Sequence, residues 1–152
     1  MIPCYNSGDF KKYFNENMQD LGLPVPQTLF DNFNAAVANA GLILEAIGTL
    51  GRGATMAEVI KATTGLEKLK VAASLGASFY VGAVIGSIAV ARGRSLGCGY
   101  RITDMFVFLH QNNLQFEGWN AFYIINPEIL DKSNRFRVAY RYKAQAENRV
   151  YA

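Results

Sequence analysis

The chain has 152 residues, 51% of them hydrophobic and only 18% charged, with a net charge of +3. That length gives one domain, and the shortage of charge against the usual quarter hints at surface not meant for water. Residues 1–70 hold six bases and seven acids, residues 71–152 nine bases and five acids, so the positive excess lies in the second half. It suits an anionic lipid surface and is too sparse for nucleic acid.

The N-terminus, MIPCYNSGDFKKYFNENMQD, lacks a basic stretch followed by an apolar one. It therefore reads as neither a secretory signal nor a transit peptide. Cys4 and Cys98 stand far apart without CxxC spacing and read first as free thiols of a reducing compartment, with a single disulfide between them as the alternative. Residues 1–30 read as polar and irregular, with a short helix over Asp9–Leu21. Gly22, Pro24 and Pro26 close it, making Leu21–Gln27 a linker.

Thr28 or Asp31 is placed to cap an apolar segment, Leu29–Leu50, whose core Phe33–Leu50 contains one charge, Glu45. Gly48, Gly51 and Gly53 then mark a turn. Thr55-Met56-Ala57-Glu58 fits a capping box, in which hydroxyl and carboxylate each satisfy an orphan amide. An amphipathic helix is predicted behind it, bending at Thr63-Thr64-Gly65 and resuming towards Lys70.

Residues 71–91, VAASLGASFYVGAVIGSIAVA, carry no charge. Twenty-one helical residues would span roughly 31 Å, close to a bilayer's ~30 Å core. Lys68 and Lys70 flank one end, Arg92 and Arg94 the other. Ser74, Ser78, Gly82 and Gly86 recur every four residues, with Gly76 on a neighbouring face. Such a stripe allows the close backbone approach on which helix association in lipid depends. On this reading Gly82 and Gly86 form a glycine zipper, and exchanging both for isoleucine should abolish depolarisation while sparing soluble expression. The partner expected is Phe33–Leu50, giving a helical hairpin. If that segment inserts, Glu45 must face an aqueous path, pair or protonate, which makes it the residue expected to line a pore; otherwise it lies on the wet face of an interfacial or soluble helix.

Thr103 or Asp104 is placed to start a helix through Met105–Gln111, broken by Asn112-Asn113 and Glu117-Gly118. Beyond it, Phe136, Val138, Tyr140 and Tyr142 alternate with Arg135, Arg137, Ala139 and Arg141, a period-two strand signal. The tail RFRVAYRYKAQAENR reads first as packed, second as a lipid contact, third as a base-stacking surface. The fold expected is mainly α: a hairpin of apolar helices around a central small-residue-rich helix, with a small mixed α/β C-terminal region. It forms one domain over 1–152, divided into a polar segment 1–30, an apolar helical region 31–94 and an aromatic, basic region 95–152.

Catalytic signals are missing. His110 is the sole histidine, no GxSxG, HExxH, Walker or GxGxxG pattern occurs, and Asp104, Glu117, Glu128 and Asp131 are scattered acids. No metal site, cofactor or enzymatic activity is expected.

The zipper within Val71–Ala91, the preceding Phe33–Leu50 segment and the absent signal sequence together resemble the small pore-forming antibacterial effectors of type VI secretion systems, of the tube-carried kind. That resemblance implies a protein made in the producer's cytoplasm and exported without a signal peptide, with the secretion-tube protein as carrier. It further implies insertion into a rival's inner membrane, ion transport through a homo-oligomer, and a cognate immunity protein. Two other readings compete: a resident small integral membrane protein, holin-like or structural, and a soluble helical binding or adaptor domain built on Val71–Ala91 as its core helix.

Overall fold

A computed structural model describes residues 9–26, 28–94, 96 and 99–149 of the chain. Cys4 and Cys98, and the predicted joint around Gly97, lie outside them.

Helix α1 runs Phe10–Asp20, capped by Asp9, whose carboxylate accepts from the Lys12 amide at 3.1 Å. Phe14, Asn17, Met18 and then Leu21 recur on one face and are buried. The short helix expected over Asp9–Leu21 is present, and it forms one wall of the core. Helix α2, Phe33–Leu50, has the predicted core limits but a different cap: Asn32 accepts from the Ala35 amide at 2.8 Å. Its buried face is Ala36, Ala40, Ile43 and Ala46, and the opposite face, with Glu45, is exposed.

Helix α3, Met56–Ala62, starts with the predicted capping box between Thr55 and Glu58. It ends at Thr63, where a bend was expected, and a 3-10 turn over Glu67–Ala72 stands in place of a resumed helix. Helix α4, Ala77–Ala91, follows. Helix α5 runs Ile102–Gln111, its first turn closed by Asp104, which accepts from the Arg101 amide at 2.7 Å. Helix α6, Trp119–Ile125, begins after Gly118, whose φ of +78° suits a residue without Cβ. Helix α7, Tyr140–Arg149, closes the order after 3-10 turns at Pro127–Ile129 and Arg137–Ala139.

Helix α4 is the axis. Helices α1 and α2 make the broadest contacts with it, and α3, α5, α7 and the Pro127–Ile129 turn also touch it. Thirteen of its fifteen residues are buried. A helix apolar on every side needs such a sheath when water surrounds the protein.

Two expectations are corrected. The run Val71–Ala91 is not one helix: Val71 and Ala72 finish the 3-10 turn, and α4 starts only at Ala77. The reason is long-range backbone pairing. The Ala73 and Leu75 carbonyls accept from the Ala57 and Met56 amides at 3.0 and 2.8 Å. The Gly76 amide donates to Ala144 and the Ala77 amide to Ala54. Groups that a longer helix would pair internally are committed elsewhere. Among the described residues, the helix long and apolar enough by length and composition to cross a membrane is instead α2, with a mean hydropathy of 1.4.

The mixed α/β C-terminal region is also corrected, since no strand occurs among the described residues and the predicted Phe136–Tyr142 strand is a 3-10 turn leading into α7. The buried positions are Arg137, Tyr140 and Ala144, a spacing of three and four, while Phe136, Val138 and Tyr142 face outwards. Helical period wins because the inward residue of the first turn is an arginine with polar partners waiting. Its Nε donates to the Glu128 carbonyl at 2.9 Å, and its guanidinium also reaches Asp20 at 3.2 Å and the Asn17 side chain.

Candidate functional site

The residues predicted to drive helix packing divide into three groups. Ser74 is exposed in the turn before α4, and Gly76 is that helix's N-cap, so neither lies on the helical stripe. Ser78 is half-buried, its hydroxyl donating to the Arg52 carbonyl at 3.1 Å. Gly82 and Gly86 are buried where α4 meets the C-terminal region.

A Cβ on Gly82 would collide with the Phe122 ring, and one on Gly86 with Ile129 Cγ2, with Leu130 and Tyr123 at 3.4 Å. The glycines thus provide the close approach expected of them, but to α6 and the Pro127–Ile129 turn rather than to α2. The Tyr123 hydroxyl confirms the intimacy by donating to the Gly82 carbonyl at 2.6 Å. Complete burial pushes its pKa well above the ordinary tyrosine value, opposed by a hydrogen bond from the Gly86 backbone.

This seating changes the isoleucine expectation. Bulky groups at 82 and 86 would strike Phe122 and Ile129 and damage the folded bundle itself. They cannot separate folding from membrane activity.

Beside the stripe, a mainly apolar cleft of about 490 Å³ opens between the end of α2 and α6. Leu44, Ile47, Val81 and Phe122 line it, with Arg52 and Ser78 among its polar groups. Arg52 donates to the Glu117 carbonyl at 3.1 Å and fastens the loop before α6 to the turn after α2. Here α4 is reached from outside at Ser78, which is half-buried, while Val81 one turn on is covered.

Glu45 stands exposed on α2, beside a shallower hollow of about 270 Å³ that includes Leu42, Thr49 and residues 62–64. It is remote from the glycine seam in character, since Gly82 and Gly86 are enclosed.

The sequence reading missed a buried polar cluster. Asn17 Nδ2 donates to Ser87 Oγ in α4 at 2.8 Å and to the Ile129 carbonyl at 3.1 Å, while its Oδ1 accepts from Arg137. Glu128 binds Lys143 at 2.5 Å. Through Arg137 and the Ile129 carbonyl the C-terminal region is latched to Asn17 of α1, and Asn17 ties α1 in turn to Ser87 in the C-terminal half of α4. The available signal was Ser87, a hydroxyl in an otherwise apolar run, which required a partner once buried.

The other groups weighed for chemistry do not converge. His110 is exposed, with Nδ1 3.3 Å from Gln115 Oε1; Asp104 caps α5; Asp131 accepts from Ser133. No group of three His, Cys, Asp or Glu side chains placed to hold a metal ion occurs among the described residues. Set against known protein families, curated proteins and solved structures, the chain matches none of them.

Proposed function

We propose that this chain is a membrane-inserting, pore-forming toxin of the antibacterial effector type, and that the bundle is its water-compatible state. The observation that carries the reading is α4: fifteen charge-free residues, thirteen buried, in contact with the apolar α2. A helix of that kind belongs in a protein core or in lipid. Burying Val81, Val84, Ile85, Ile88 and Val90 is worth on the order of 10 kcal/mol, about a whole domain's stability. Water could not take over that role if the bundle opened, but hydrocarbon would.

On this account α2, about 27 Å long, inserts beside α4. Release of residues 71–76 from their backbone partners lets the apolar run re-coil to roughly 31 Å, near the bilayer core thickness. Freed from Phe122 and Ile129, Gly82 and Gly86 become available for helix pairing between copies. Glu45 then faces the aqueous lumen, which favours cations. Carriage by a secretion-tube protein, action at a rival's inner membrane and protection by an immunity protein belong to the same proposal.

The rival with a specific observation behind it is a binding domain, favoured by the 490 Å³ cleft and by the burial of thirteen of the fifteen α4 residues. Purified protein added to dye-loaded vesicles separates the two. The toxin releases dye and afterwards fractionates with lipid; a binding domain leaves the vesicles sealed, and that result would overturn the proposal.

A further inference from the structure

The outer face of the C-terminal region carries an arrangement that folding does not use. Phe136, Val138 and Tyr142 are 68, 54 and 51% exposed, although each is a residue that a core would bury. Between Asp131 and Glu147 the chain has five bases, Lys132, Arg135, Arg137, Arg141 and Lys143, and no acid. Three of them are engaged inwards. Arg137 meets Asp20, Lys143 meets Glu128, and Lys132 lies in the field of Glu16 and Asp20.

Arg135 and Arg141 remain on the exposed side. Arg141 donates to the Tyr142 hydroxyl at 2.6 Å and stacks over its ring, and it meets no carboxylate among the described residues. Its position is fixed from below: a Cβ on Gly22 would lie 2.9 Å from the Arg141 Cδ. Val138, Arg141, Tyr142 and Gln145 follow at spacings of three and four, so they share one outward stripe, with Arg135 and Phe136 at its start.

We infer that this stripe is a docking surface for an anionic bilayer, with Phe136, Val138 and Tyr142 entering the headgroup layer and Arg135 and Arg141 meeting lipid phosphates. Aromatic rings beside arginines suit that interface, where one end of a side chain is apolar and the other wet. A rounded helix face offers no groove for a partner peptide. The inference deepens the membrane reading and rests on it for its biological purpose, yet docking requires no opening of the bundle.

The test is co-sedimentation of the full chain with phosphatidylcholine vesicles and with vesicles also containing phosphatidylglycerol, dye release being recorded in parallel. The native chain should prefer the anionic vesicles and lose binding as salt rises. Arg135→Gln should weaken anionic binding about five-fold, and Arg135→Gln with Arg141→Gln about thirty-fold. Phe136→Ser with Tyr142→Ser should weaken it on both vesicle types. Arg135 is exposed, so its single variant guards against misfolding as the cause. Undiminished binding by these variants, indifference to phosphatidylglycerol, or binding of a single-stranded oligonucleotide in place of vesicles would overturn the inference. Docking without dye release leaves this surface standing and removes the pore; release that ignores these residues does the reverse.

Discussion

Gly→Ala substitutions should shift stability in opposite directions at two pairs of positions, because the same methyl group meets opposite surroundings. Gly41 and Gly48 lie in α2 with open space where a Cβ would stand. Alanine there gains helix propensity and restricts the unfolded chain, stabilising by about 0.5–1 kcal/mol each. Gly86 offers the same backbone gain, but its methyl group would fall inside van der Waals contact of Ile129 Cγ2, on a residue that is fully buried. Overpacking of that kind costs about 1–3 kcal/mol, and a β-branched neighbour without free space argues for the upper half. The net expectation for Gly86→Ala is a loss of about 1–2 kcal/mol. Gly82→Ala should be milder, since Phe122 is only half-buried and borders the cleft into which its ring can turn. Urea unfolding of the four single variants measures the set. Ile129→Ala supplies the control: combined with Gly86→Ala it should cost less than the two losses added, because the clashing methyl is gone. Equal stabilisation at all four glycines would refute the close approach of the C-terminal region to α4.

Two further outcomes follow from the buried polar groups. Arg137→Met should cost about 2–4 kcal/mol by stripping donors from Asn17 and from the Glu128 carbonyl, both buried, whereas Asp20→Asn should cost less than about 1 kcal/mol because that carboxylate is half in water. Thermal unfolding of the two variants compares them. Tyr123 has a pKa above its unfolded value, so the stability it contributes is complete below about pH 10 and falls as pH rises towards the folded value. Unfolding followed above pH 10 should show a slope that Tyr123→Phe reduces by about 1.4 kcal/mol per pH unit; an unchanged slope would contradict the burial of that hydroxyl.

Local chemistry made much of this fold readable. The body of α2, the Thr55–Glu58 capping box and the breaks at Gly51, Thr63 and Gly118 all depend on residues within a few positions of one another. Val71–Ala91 departs from the single helix its hydropathy suggests for the opposite reason. Hydropathy describes what a segment dislikes, and nothing in it reports that residues 73–77 pair with residues 54–57 and with Ala144. The C-terminal region failed on a sign: alternation points Phe136 and Val138 inwards only if apolar residues are the buried ones, and here Arg137 is buried instead. Its partners are Asn17, Asp20 and the carbonyls of the Pro127–Leu130 stretch, groups drawn from opposite ends of the chain. The stripe on α4 was legible as a packing surface, but the identity of its partner depended on those same distant contacts.

The central claim, that α2 and α4 leave the bundle for lipid, is tested most directly by loading the outer face of α2 with charge. Ala38 and Leu42 are exposed there, so Ala38→Lys with Leu42→Lys should change bundle stability by no more than about 1 kcal/mol. In a bilayer each lysine near the helix centre costs about 2.5–3.5 kcal/mol. The account predicts that the native chain empties dye-loaded vesicles and that the doubly charged chain, melting at nearly the same temperature, leaves them sealed. Equal dye release by both proteins would contradict it.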